Sequence, residues 1–319
     1  MKVLLIGGSG LIGSYLAPHL MEQGHEVVIV DAREPLIDLG VKVKRLGWNI
    51  TSDQTAHDAL DFAKPDVILF MASAVPDWAS SVTNPSKTMK TFQAMTSTYY
   101  AAQTVGVKRF IYLSSVPESS RHEPMSMLNE LVERFLDLAP CSTGTNWDHE
   151  AHIDVMILKA TNVYAPGTVD KRHNFLNTLL KASASGERLK ISSNDRSDFV
   201  HIGDAARAIT GAIEQGSAAA RTNLEAPMLS RSSVFYISSG RPTMNFVEII
   251  KTYNRAANIL GYSPVHYDLI TKHWGVGLDM AYEESDTSSL MLLTGISEEP
   301  LELEQGCCKL IEMERLLHY

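Results

Sequence analysis

Gly7, Gly10 and Gly13 follow an apolar run, Val3 to Ile6, and open a helical pattern from Leu11 to Met21. That spacing suits the holding of phosphates. One glycine makes the tight turn, another lets the backbone approach a pyrophosphate, and a third lets helix and strand pack closely. The phosphates then meet free N–H groups and the positive end of a helix. Gly7, Gly10, Leu11, Ile12 and Gly13 are therefore the expected cradle of a dinucleotide. A tight turn with no ligand is the alternative, and the strand before and helix after weigh against it. Asp31 ends the next apolar run, eighteen residues after Gly13. A carboxylate there accepts hydrogen bonds from both adenosine ribose hydroxyls and repels a 2′-phosphate. NAD is thus expected over NADP, with Arg33 the nearby feature that would suit the latter.

Other residues of reactive type are fewer. His122 has an ordinary pKa near neutrality and stands among Glu118, Arg121 and Glu123, so it could act as acid or base. The same charges also suit a solvated turn. Asp148, His149, Glu150 and His152 have no recognised ligand spacing, and no metal is expected. Three cysteines, Cys141, Cys307 and Cys308, build neither a disulfide framework nor a zinc site, which points to a reducing cytoplasm.

The elements that must position these groups alternate. Val27–Val30, Asp66–Met71, Phe110–Leu113 and Val155–Leu158 are continuous apolar runs, the pattern of strands buried on both faces. Between them lie helical stretches at 55–63, 88–105 and 126–138. The expected fold is α/β: a Rossmann-type doubly wound parallel sheet, with ligands at the carboxyl ends of its strands. Beyond residue 165 the alternation loosens. Helices are expected at 174–185, 203–214, 245–260 and 301–317, and strands at 189–191 and 234–237, with a Ser/Ala-rich stretch at 216–221 and an irregular segment after it. Residues 1–163, with 198–240 returning to the sheet, read as the NAD(P)-binding domain. Residues 164–197 and 241–319 read as a smaller, interleaved substrate-binding region.

Bulk properties exclude several classes. A formal net charge of −9 argues against nucleic acid or an anionic membrane as partner. No apolar run approaches the roughly 20 residues of a membrane span. The first strand begins at the methionine, where a signal peptide would lie.

Ordered matches over residues 1 to about 250 carry a resemblance. Ile6-Gly-Gly-Ser-Gly-Leu-Ile-Gly13, Asn49-Ile50, Phe70-Met-Ala-Ser73 and Gly106-Val-Lys-Arg-Phe-Ile-Tyr-Leu-Ser-Ser115 are four of them. Leu158-Lys-Ala-Thr-Asn-Val-Tyr-Ala-Pro-Gly167, Asp198-Phe-Val-His-Ile-Gly-Asp204 and Ile237-Ser-Ser-Gly-Arg-Pro242 follow. Together they resemble the extended short-chain dehydrogenases/reductases, the NAD-dependent epimerase/dehydratase family. The resemblance implies adenine contacts at Asn49 and Ile50, cofactor contacts at Met71, Ala72 and Ser73, and substrate contacts at Asn162, Tyr164 and Arg196. Arg196 is offset by one place from the family arginine, which Ser197 replaces. A homodimer through the helices near 88–105 and 126–138 is also implied.

The family's catalyst is missing. Its Tyr-x-x-x-Lys pair falls on Met125 and Asn129, in a register fixed by Pro124 and Glu133, and its helix asparagine falls on Thr91. None of the eleven tyrosines has a lysine four residues on. A thioether moves no proton, and losing a positioned acid/base costs a factor of about 10²–10⁴. Of the family's catalytic set Ser115 remains, with His122 or Glu118 as replacement groups. Two functions are therefore expected as alternatives. One is a nonstandard oxidoreductase or isomerase that works on a nucleotide sugar or other small polar metabolite by isomerisation, epimerisation or elimination. The other is a non-catalytic NAD-binding sensor, scaffold or regulatory subunit.

Overall fold

A computed structural model describes residues 1–39, 43–50, 52–73, 85–116, 124–139, 153–166, 175–191, 196–221, 232–270 and 300–317. Strands β1 (Lys2–Ile6), β2 (Glu26–Val30), β3 (Lys44–Leu46), β4 (Val67–Phe70), β5 (Arg109–Ser115), β6 (Asp154–Ala160) and β11 (Ser232–Ile237) form one seven-stranded sheet. Its order is β11-β6-β5-β4-β1-β2-β3, and every neighbouring pair is parallel. The continuous apolar runs follow from this, because helices cover both faces. Helices α2 (Asp53–Ala63), α3 (Pro85–Val105) and α4 (Pro124–Leu138) pack one core with Leu4, Ile6, Ile68, Phe70 and Phe110. Helices α1 (Leu11–Glu22) and α6 (Ile202–Arg221) pack the other with Leu5, Ile29, Leu69 and Ile111. Strand order reverses at β1, so the crevice opens between the carboxyl ends of β1 and β4.

A third core lies beside the sheet. Helices α5 (Phe175–Ser185), α7 (Phe246–Ile259) and α8 (Leu303–Leu317) bury Leu179, Ile249, Tyr253, Cys307 and Leu310 together. Three strand pairs tie it down. These are β7 (Asn162–Tyr164) with β10 (Phe199–His201), β9 (Arg196–Ser197) with β12 (Met244–Asn245), and β8 (Arg188–Ile191) with β13 (His266–Leu269). No helix among the described residues is long and apolar enough to cross a membrane.

One expectation is corrected. The helix expected at 203–214 is longer: α6 runs on through the Ser/Ala-rich stretch to Arg221, across a kink at Gly216 whose φ is +69°. Arg109 holds the kink. Its Nε lies 2.8 Å from Asp154 Oδ2, its Nη1 donates to the Ile213 carbonyl, and Asp154 accepts from Ser217 N at 3.1 Å. A guanidinium on carbonyls that end a helical run suits the helix dipole. Burial alone would raise the Asp154 pKa, but hydrogen bonds from Ser217 and Arg109 outweigh it and hold the carboxyl below its ordinary 3.8. A depressed carboxylate stabilises above its unfolded pKa, and that contribution is lost as pH falls through the folded value. Relative to Asp154→Asn, the wild-type advantage in urea midpoint should therefore shrink as pH drops below about 4. A pH-independent difference would contradict this.

Candidate functional site

The turn after β1 is built for close approach. Gly7 has φ +81°, and a Cβ there would lie 2.5 Å from Ala72 Cα. A Cβ on Gly13 would lie 2.5 Å from Gly8 Cα and 2.6 Å from Gly8 C, so α1 can sit against the turn only without one. Helix α1 begins at Gly10 with no side-chain cap and no acidic residue in its first turn. Its leading N–H groups and positive end therefore face the crevice, as a bound phosphate requires.

Two cavities flank this helix end. One, of about 400 Å³, is lined by Gly7, Asp31, Arg33, Trp48, Asn49 and Ile50, with Lys87, Lys90 and Ala94 from α3 opposite. The other, of about 330 Å³, runs past Gly10, Leu11, Ile12 and Gly13 to Ser115, Asn129, Thr161 and Asn162. Gly7, Arg33, Ala72, Ser73 and Thr91 line both, which makes one continuous cleft. Met71 lies on the wall of the second. A pyrophosphate at Gly10–Gly13 would put an adenosine in the first cavity and the other nucleotide in the second. The residues present thus fit a dinucleotide.

Asp31 is 8% exposed, and the fold already employs its carboxylate. Oδ2 accepts from Ser9 N at 3.0 Å and Oδ1 from Arg33 N at 2.9 Å. Those bonds fix the carboxylate at the end of β2 on the wall of the first cavity, with Arg33 Nε 3.7 Å from Oδ1.

At the far end a polar chain crosses the cleft floor. Tyr112 Oη donates to Asn129 Oδ1 at 2.9 Å, and Asn129 Nδ2 donates to Ser115 Oγ at 2.8 Å. Next along β5, Ser114 Oγ donates to Glu133 Oε1 at 2.6 Å, and Lys159 Nζ pairs with Glu133 Oε2 at 2.7 Å. Burial, reinforced by the charge of Glu133, pushes the Tyr112 hydroxyl well above its ordinary pKa.

The remaining sequence candidates divide. Thr91 is buried on α3 and faces both cavities. Asn162 lines the second cavity and donates to Ser197 Oγ at 2.7 Å. Tyr164 lies elsewhere: it is 1% exposed in the third core, and a Cβ on Gly306 of α8 would lie 2.7 Å from its Cζ. Arg196 is held by Thr243 Oγ1 at 3.1 Å and by the Thr243 carbonyl, and lines neither cavity. Met125 falls in the first turn of α4, four residues before Asn129. His122, Glu118, Arg121, Glu123, Cys141, Asp148, His149, Glu150 and His152 lie outside the described residues. Among the described residues no cluster of three His, Cys, Asp or Glu could hold a metal. Sequence reasoning missed Trp48, Lys87, Lys90 and Tyr112. For Tyr112 a signal existed, since it alternates with Phe110 and Ser114 along β5 and so shares their face.

The sheet, the glycine turn and the cleft define a dinucleotide-binding protein of the Rossmann type. The chain belongs to the NAD-dependent epimerase/dehydratase family, whose model matches residues 3–224. A 3-beta-hydroxysteroid dehydrogenase of Mycolicibacterium neoaurum is 27% identical over 118 residues, 36% of this chain and 32% of that protein. The chain covers about a third or less of the length of the curated relatives it matches. The structure of a UDP-glucose 4-epimerase from Thermotoga maritima with UDP-glucose is similar at a TM-score of 0.78 and 20% identity, over 100% of both chains. A UDP-glucose-4-epimerase from Stenotrophomonas maltophila with bound NAD and formylated UDP-arabinopyranose gives 0.76 at 17%, over 100% of this chain and 99% of that one. At such identities the likeness is one of fold.

Proposed function

We propose that this protein binds NAD and converts a nucleotide sugar or another small polar metabolite by isomerisation, epimerisation or elimination. The observation that carries this is the continuous cleft. It joins the Asp31 end, the uncapped start of α1, and a polar far wall made by Ser115, Asn129 and Asn162. In this reading Asp31 holds the adenosine ribose, Asn49 and Ile50 flank the adenine, and the first turn of α1 holds the pyrophosphate. Nicotinamide would then reach Met71, Ala72 and Ser73, supplying a hydride acceptor beside Ser115. Asn162 would face the substrate, with residues 164–197 and 241–319 supplying the rest of its site. His122 or Glu118 would handle the proton. Pairing of two copies through α3 and α4 belongs to the same reading, because their outer faces expose Met89, Tyr100, Met127 and Leu131.

A second reading, a non-catalytic NAD-binding sensor or regulatory subunit, is favoured by one observation. Among the described residues lining the second cavity, the titratable side chains are Arg33 and a Tyr112 held protonated by burial.

Calorimetry with NAD and NADP, followed by NMR of UDP-glucose incubated with the NAD complex, separates the readings. NAD should bind at least about tenfold more tightly than NADP, because Asp31 repels a 2′-phosphate. New sugar resonances would support the enzyme. NAD binding with no turnover across a panel of UDP-sugars would select the second reading, and no binding of either dinucleotide would overturn both.

A further inference from the structure

Asn129 stands where the family's lysine would act, yet it is tied into the cleft wall rather than left idle. It is 8% exposed, and two hydrogen bonds decide which way round its amide lies. Tyr112 Oη donates to Oδ1, and Nδ2 donates to Ser115 Oγ. A flipped amide would turn Nδ2–H toward the phenol and strand a buried O–H donor, an arrangement that proteins avoid. Tyr112 is 4% exposed and keeps its proton because ionisation in that setting is opposed by burial and by Glu133. The amide is therefore locked. Ser115 Oγ receives a hydrogen from Nδ2, and an NH₂ group offers no lone pair in return. The serine's own O–H must then point elsewhere, and Ser115 is exposed on the cavity wall.

We propose that Asn129, locked by Tyr112, is a positioning residue that turns the Ser115 O–H away from itself and toward the ligand, where it donates. The ligand group that meets the Ser115 O–H is accordingly an acceptor oxygen: a carbonyl, a carboxylate, or a sugar hydroxyl held through its lone pair. Ser115 keeps its proton and serves to bind and polarise. This rests on the reading in which the sugar end of a nucleotide sugar enters the second cavity. It also gives the Asn129 amide a task that the family's charged lysine would not perform in the same way, since an ammonium has no acceptor for Tyr112.

The test measures UDP-glucose and UDP by calorimetry on the full chain with saturating NAD. UDP lacks the hexose, so the ratio of the two affinities isolates hexose contacts. Ser115→Ala and Asn129→Asp should each lower that ratio roughly fivefold to tenfold, the size of one hydrogen bond. In Asn129→Asp the carboxylate draws the serine O–H to itself. The double variant should fall no further than either single one, because Asn129 acts only through Ser115. Additive losses, or an unchanged ratio in Asn129→Asp, would overturn the proposal. Should the wild-type chain bind neither UDP nor UDP-glucose, the nucleotide-sugar reading fails, and side-chain amide NMR of the chain alone decides this proposal separately. Exchange of the Asn129 Nδ2 hydrogens at least about tenfold faster in Tyr112→Phe would support the lock. Equal exchange rates would overturn it.

Discussion

Gly13→Ala is expected to weaken NAD binding by at least about 100-fold, which is about 2.7 kcal/mol. The added Cβ would lie 2.5 Å from Gly8 Cα and 2.6 Å from Gly8 C, and both are backbone atoms of the turn itself. Neither can rotate away as a flexible side chain would. Helix α1 must move outward, and its uncapped first turn then no longer presents its N–H groups where the pyrophosphate lies. Forced packing of this kind also costs about 1–3 kcal/mol of fold stability. Calorimetry with NAD, alongside a thermal melt without ligand, separates the two losses. A variant that melts lower yet binds NAD within about threefold of wild type would refute the phosphate role of α1.

Lys159→Met should cost about 3–5 kcal/mol of stability, because it strands a charge. Glu133 keeps Ser114 as donor at 2.6 Å but loses the ammonium at 2.7 Å, and both partners of the ion pair are under one-fifth exposed. A buried ion pair adds little over an apolar replacement, whereas half of one is expensive. The double variant Lys159→Met/Glu133→Leu should therefore recover most of the loss in urea unfolding. If the single variant loses under about 1 kcal/mol, Glu133 is better solvated than this packing implies. Glu133 also accepts from Ser114, which lines the same cavity as Tyr112, Asn129 and Ser115, so the single variant should disturb that end of the cleft as well.

The sheet was legible because parallel strands buried on both faces leave continuous apolar runs, as in Val27–Val30 and Val67–Phe70. The glycine turn was legible because its chemistry resides in backbone spacing. Short partners were not. β3 is Lys-Arg-Leu at a sheet edge, and β13 is His-Tyr-Asp-Leu, with no period that length could reveal. The continuation of α6 past Gly216 was hidden because the helix survives there through Arg109 and Asp154, distant partners that local composition does not show. Asn129 shows the same limit at the site. Its identity was readable as a lost lysine, but its role depends on Tyr112, on another element seventeen residues away in sequence. Tyr164 illustrates the reverse: a motif position suited to substrate is filled by the third core once α8 packs on it.

That last contact has a consequence for how the chain comes to its native state during synthesis. Tyr164 on β7 is sealed by Gly306, near the start of α8, so one wall of the third core is absent until that helix has left the ribosome. At about 5–20 residues per second the interval is on the order of ten seconds. During it Leu179, and then Ile249 and Tyr253 once they are made, lack the neighbours Cys307 and Leu310. Nascent chains halted just before residue 303 should consequently carry a formed sheet and an unfinished, chaperone-sensitive flank.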